Sequence, residues 1–152
     1  MSQENREVVR RAIGAMSFHA AAEGHTRTAL VERLASEVEF EEDSRFPEAR
    51  IYRGRSEVLR YFSEFVSQFE HYVFNLEELV DAGGDDVLAC LRIHGQGKGS
   101  RAEFDVRPGW IFTVRGSEIV RIRAYYERAE ALEAVGLSEL SGVAFGGGSE
   151  LG

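Results

Sequence analysis

A carboxylate that closes a row of apolar side chains is the first feature of this sequence with chemical potential. Val38, Phe40 and Glu42 alternate with Glu39, Glu41 and Asp43. A period of two puts each trio on one face of a strand, so Glu42 ends an apolar row. Burial disfavours the charged form of a carboxylate, and a carboxylate so placed can take a proton from carbon next to a carbonyl. The alternative is a rim carboxylate in the acidic run Glu41-Glu42-Asp43, held by Arg53 or Arg55, because structural networks also perturb carboxylates.

Other residues offer weaker chemistry. Trp110 and Phe112 share one strand face and form either a platform for a planar ligand or a filled core. Tyr126 can present a hydroxyl to a ligand or cap a buried polar group. Cys90 and His94 lie opposite Leu91 and Ile93 in the alternation, away from the apolar row, and no third group orients them as a nucleophile pair. His19, His25 and His71 have no spacing for a metal. The run Gly95-Gln96-Gly97-Lys98-Gly99 follows a strand, but no helix follows it, so the context of a phosphate loop is missing. Neither a metal nor a cofactor is expected.

These residues need elements to position them. Val9, Ala12, Ile13, Met16 and Ala20 recur at helical spacing and predict a helix over 5–22. After the break at Glu23-Gly24-His25, Thr28 can cap a short helix with Leu30, Val31 and Leu34 as its apolar face. A strand starts at Glu37, a loop runs from Ser44 to Gly54, and Ser56 opens a long helix striped by Val58, Phe62, Phe65, Val66 and Phe69. Strands follow over His71–Asp81, with Val73, Asn75, Glu77 and Leu79 on one face, and over Asp86–Lys98. Arg101–Arg115 is a further strand broken near Pro108-Gly109, and Ile119–Glu127 is the last. Residues 128–136 make a helical turn ended by Gly136. Residues 138–152 form a Gly/Ser-rich tail expected to be flexible. Helices first and antiparallel strands afterwards give an α+β domain over 1–137.

The bulk numbers agree with one domain. The chain has 152 residues, 43% of them hydrophobic, enough for a real core. A net charge of -8 gives no electrostatic footprint for nucleic acid or an anionic membrane surface. One cysteine cannot form an internal disulfide. The polar N-terminus and the lack of a bilayer-length apolar window lead to the expectation of a cytoplasmic protein.

Three stretches carry a family resemblance: Val38-Glu39-Phe40-Glu41-Glu42, Tyr52-Arg53-Gly54-Arg55-Ser56-Glu57-Val58, and the run from Ile119 to Leu132. In them, and in element order over about residues 5–137, the chain resembles the nuclear transport factor 2-like superfamily, which includes ketosteroid isomerases and SnoaL-like polyketide cyclases. The resemblance implies a cone: a curved antiparallel sheet wrapped around N-terminal helices with a pocket inside. Glu42 matches the carboxylate base that ketosteroid isomerases place at the end of the first strand. Their oxyanion hole pairs a tyrosine with a protonated aspartate, and the matching positions here are Ala12 and Trp110. The isomerase reaction is therefore not carried over.

The same resemblance implies a pocket lined by Phe40, Glu42 and Tyr61, by Ala89, Leu91 and Ile93, by Trp110 and Phe112, and by Ile122, Ala124 and Tyr126. It also implies a homodimer through the outer, more polar sheet face, near Arg92, His94, Arg121 and Arg123. Two classes of function follow. One is a cofactor-independent acid–base isomerase or cyclase acting on a small apolar carbonyl or polyketide-like molecule, with Glu42 as base. The other is a non-catalytic domain that binds an apolar small molecule or dimerises.

Overall fold

Alternating side chains build the sheet, and the helices exist to cover it. The computed structural model describes residues 3–16, 18–19, 31–99 and 101–137. Its elements are α1 (Gln3–Met16), β1 (Phe18–His19), β2 (Leu34–Glu41), β3 (Ile51–Arg53), α2 (Arg55–Val66), β4 (Phe69–Asp81), β5 (Asp86–Gly97), β6 (Glu103–Val106), β7 (Gly109–Arg115), β8 (Glu118–Tyr125) and α3 (Arg128–Ala134). The strands form one sheet in the order β1-β4-β5-β7-β8-β2-β3, with β6 paired to β5 off that path. Strands β2 and β8 run parallel, and the other described pairs are antiparallel.

Register explains the core. Val87 lies opposite Phe112, Phe112 opposite Ile122, Ile122 opposite Phe40, and Phe40 opposite Tyr52. That inward row crosses β5, β7, β8, β2 and β3. Val9, Ala12, Ile13 and Met16 on α1 and Val58 and Phe62 on α2 pack against it. Each large side chain fully buried in this way stabilises the fold by about 1.5–3 kcal/mol before entropy is counted.

A smaller apolar cluster lies apart from the main core. Val80, Leu88, Cys90 and Ile111 meet Ala131 and Leu132 of α3. Leu88 and Cys90 are therefore buried, although the alternation placed them on a more polar outer face. The reason is Gly109: a Cβ there would lie 2.7 Å from the Ala131 Cβ, so only glycine lets α3 seat on β7. Arg128 fastens the start of α3 by donating to the Leu91 carbonyl at 2.8 Å and pairing with Glu77.

Several boundaries differ from the sequence reading. Helix α1 ends at Met16, short of residue 22, and Phe18 pairs with Tyr72 as a strand residue. The short helix expected from Thr28 falls largely outside the described residues. Leu34, expected on its apolar face, opens β2 opposite Ile119. The loop from Ser44 to Gly54 contains β3, which pairs with β2. Helix α2 begins one residue before Ser56 and stops at Val66, so Phe69 belongs to β4. Its ring still reaches Phe65, at 4.8 Å between centroids. A bulge between Leu76 and Glu78 breaks the alternation of β4, so Leu79 joins Leu76 against the core and leaves the face of Val73 and Asn75. The tail expected over 138–152 lies outside the described residues.

Candidate functional site

The inward rows stop short of one end of the cone, and a cleft remains there. Its volume is about 320 Å3. Phe40 of β2, Tyr61 and Phe65 of α2, Ile93 of β5, Trp110 of β7 and Ala124 of β8 form its walls. Phe69, Phe104 and Val106 close one side, and Phe46, Tyr125 and Tyr126 frame the rim. Trp110 is 7% exposed and meets Phe40 and Phe74 edge-on, each at 5.4 Å. Edge-on aromatic pairs of this kind add about 0.5–1.5 kcal/mol beyond area burial, so the Trp110 wall is rigid.

Sequence reasoning placed Phe40, Glu42, Tyr61, Ile93, Trp110, Ala124 and Tyr126 at a pocket, and all seven line this cleft. Leu91, Phe112 and Ile122 share the inward face but are fully buried in the core. Helices α1 and α2 pack directly on that level of the cone, which leaves those three no open surface. Ala89 is buried there too. Tyr126 is 44% exposed, and its ring meets Phe46 edge-on at 5.7 Å. It is a rim residue rather than part of the cone's interior.

Glu42 stands one residue beyond the last β2–β8 pair, Glu41 with Arg123, at the level of Ala124. Its fixing is not the one the sequence suggested. Arg53 pairs with Glu39, and the Arg55 guanidinium donates to the Leu34 carbonyl. Glu42 instead accepts the Arg50 backbone N–H on Oε1 at 3.1 Å, while its own N–H donates to the Arg50 carbonyl at 3.2 Å. This double bond to one residue closes the loop over 43–49. The Tyr61 hydroxyl lies beside the Glu42 carboxylate. Burial pushes the Tyr61 phenol well above the usual tyrosine range, and the neighbouring Glu42 pushes it further. Tyr61 therefore stays protonated. The Arg50 N–H leaves Glu42 with acceptor capacity to spare.

Asp43, the neighbouring carboxylate, is already occupied. It accepts the Arg45 N–H at 2.9 Å and the Tyr126 N–H at 2.8 Å. Its side chain is 10% exposed and faces the Arg45 guanidinium at 3.5 Å. Asp43 ties the ends of β2 and β8 together.

Sequence reasoning missed Tyr52, whose ring lies 4.5 Å from that of Tyr61 with the Arg50 guanidinium over it at 4.6 Å. It hid in the segment read as loop. Phe65, Phe69 and Phe104 were missed because they reach the cleft from a helix end and from two strands whose pairing the sequence does not show. Cys90 and His94 lie elsewhere. Burial pushes the Cys90 thiol up to about 11, which removes it as a nucleophile. The His94 ring contacts Asn75 at 3.2 Å. Among the described residues no cluster of histidine, cysteine and carboxylates has the form of a metal site, and no helix is long and apolar enough to cross a membrane.

Comparison with known proteins adds a family. The model of the SnoaL-like domain matches residues 15–122, well over half of the chain. No curated protein matches by sequence. Among solved structures, a candidate SnoaL-like polyketide cyclase from Jannaschia sp. CCS1 superposes with a TM-score of 0.70 at 16% identity, over 89% of this chain and 95% of that one. The protein RV0760c from Mycobacterium tuberculosis, in complex with estradiol-17beta-hemisuccinate, gives 0.66 at 16% identity over 84% and 96%. A hypothetical protein with a ketosteroid isomerase-like fold from Catenulispora acidiphila DSM 44928, in complex with trimethylamine, gives 0.66 at 20% identity over 86% and 93%. At such identities these likenesses speak for the fold. The cone-shaped α+β architecture and the matched family model lead to one conclusion: this chain belongs to the SnoaL-like domain family.

Proposed function

We propose that this chain binds a planar, mostly apolar small molecule, held against Phe40 and Trp110 with its polar atom at Glu42. The observation that carries the reading is the convergence of aromatic walls on one carboxylate with acceptor capacity to spare. Such a site is concave, apolar and supplied with few polar groups, as ligand pockets are. The steroid ester and the amine bound by the two relatives are consistent with a fold that holds small molecules. A thermal-shift screen of planar aromatics tests it. A binder raises the melting temperature, and Ala124→Leu, which fills the cleft, abolishes the shift. A shift that survives Ala124→Leu places the ligand elsewhere and defeats the proposal.

A second reading makes Glu42 a general base for a cofactor-independent isomerase or cyclase acting on a carbonyl or polyketide-like compound. What favours it is the contrast with Asp43: Glu42 is fixed by the Arg50 N–H but is not consumed by an ion pair among the described residues. What weighs against it is the enolate. Ala12 is fully buried and carries no donor. Binding is therefore the stated function. Turnover of any carbonyl substrate that falls by about 100-fold or more in Glu42→Gln would transfer the proposal to catalysis.

The outer sheet face is proposed as a homodimer surface. Arg121 with Glu41, Arg123 with Asp86 and Arg92 with Asp105 make it charged and internally paired. Sedimentation at micromolar concentration checks this: a species of 17.0 kDa alone rejects it.

A further inference from the structure

The cleft is selective in charge as well as in shape. Among the described residues its lining contains no lysine, arginine or histidine. It contains two carboxylates, Glu42 and Asp43, and otherwise side chains that are largely aromatic. Two cations that contact residues near the rim are turned to other tasks. Arg45 is engaged with Asp43, Glu127 and Glu130, and Arg50 lies over Tyr52. Asp43 is balanced by Arg45, but Glu42 enters no ion pair among the described residues; it accepts the Arg50 N–H and has the Tyr61 hydroxyl beside it.

The faces of aromatic rings carry negative potential, and an ammonium within reach of several of them is attracted to each. Phe40, Tyr61 and Trp110 surround the space beside Glu42, with ring centroids 5.1 Å apart for Phe40 and Tyr61 and 5.4 Å apart for Phe40 and Trp110. A net charge of -8 adds a long-range field of the same sign. An anion entering this space would meet a carboxylate with no cation to receive it.

Resting on the reading of the cleft as a small-molecule site, we infer that its ligand class is an aromatic or alicyclic amine, with a substituted ammonium beside Glu42 and its apolar body against Trp110. A tertiary or quaternary ammonium fits best, because its methyl groups are weakly hydrated and spread its charge over the rings. Glu42 supplies the counter-charge, and the Arg50 N–H holds it in place.

Three ligands with one shape separate charge from fit: a benzyl group ending in trimethylammonium, in tert-butyl or in carboxylate. Each is titrated into the intact protein while Trp110 emission is followed. The expected order is the cation at least tenfold tighter than the neutral isostere, with the carboxylate weakest. Glu42→Gln, whose amide oxygen still accepts the Arg50 N–H, cuts the cation's advantage to about threefold while leaving the neutral ligand within twofold. Equal or tighter binding of the neutral or anionic ligand overturns the charge inference and leaves the small-molecule reading standing. An advantage unchanged in Glu42→Gln overturns the role of Glu42. If none of the three perturbs Trp110 and no planar compound shifts the melting temperature, the inference and the underlying reading fall together.

Discussion

Tyr61 faces Glu42 across the mouth of the cone, bringing α2 to the end of β2, and the carboxylate helps keep its phenol protonated. The Arg50 N–H fixes the carboxylate, and Tyr61 sets a neutral hydroxyl beside it. Replacing Tyr61 by Phe keeps the ring and removes the donor. The expected result is a stability loss of about 1 kcal/mol and at least a fivefold weaker affinity for a ligand seated at Glu42. Urea unfolding and a ligand titration measure the two effects. Unchanged affinity would mean that Glu42 is held well enough by Arg50 alone.

High pH should unfold the protein. Burial pushes Tyr61 and Tyr72 well above the ordinary tyrosine range, and raises Cys90 to about 11. The unfolded chain releases these protons first, so it binds fewer of them than the folded chain, and stability falls as pH rises. The stabilisation is fully present below the unfolded value, about 9 for Cys90 and about 10 for the tyrosines. It is lost progressively above those values. Each group adds a slope of up to about 1.4 kcal/mol per pH unit. Urea midpoints at successive pH values check this, and a flat profile through pH 10.5 would contradict the burial of these groups.

The thiol also reports on α3. Cys90 is fully buried in the cluster made with Ala131 and Leu132. A thiol reagent at pH 8 should react more than about 100-fold slower with the native protein than with the urea-unfolded one. Rapid native labelling would show that α3 opens readily.

Gly109→Ala should loosen the same cluster. The added Cβ would stand 2.7 Å from the Ala131 Cβ, which cannot yield without moving α3 or β7, and at ordinary contact distance, 3.5 Å, from the Leu88 Cδ1. A cost of about 1–3 kcal/mol is expected, with faster Cys90 labelling as its signature. A stability change within about 0.5 kcal/mol would mean that the helix shifts freely.

The sequence made the inward rows legible where alternation was unbroken. Val87, Ala89, Leu91 and Ile93 on β5, and Trp110 and Phe112 on β7, followed their period of two into the core. It failed where a local pattern suits two structures. Phe69 continues the helical stripe of Phe65 and Phe62, yet Ser67 and Gln68 already close the helix by donating to the Ser63 and Phe65 carbonyls. The bulge at Leu76 and Glu78 left no mark in composition. Leu88 and Cys90 looked outward because nothing local to β5 announces a helix arriving from residue 128.

The site was legible in part for the same reason. Glu42, Trp110 and Phe40 are placed by strand phase. The depth at which the cone fills, and so the burial of Leu91, Phe112 and Ile122, depends on how α1 and α2 seat on the sheet. The grip on Glu42 comes from a backbone N–H, which has no sequence signature.

Trp110 is the single tryptophan, 7% exposed on the wall of the cleft, and its emission tests the pocket most directly. A blue emission maximum, quenched saturably by one class of planar ligand and insensitive to that class in Ala124→Leu, is the expected result. A red, water-exposed maximum, or a blue one that no planar ligand disturbs, would contradict an open and selective cleft beside Glu42.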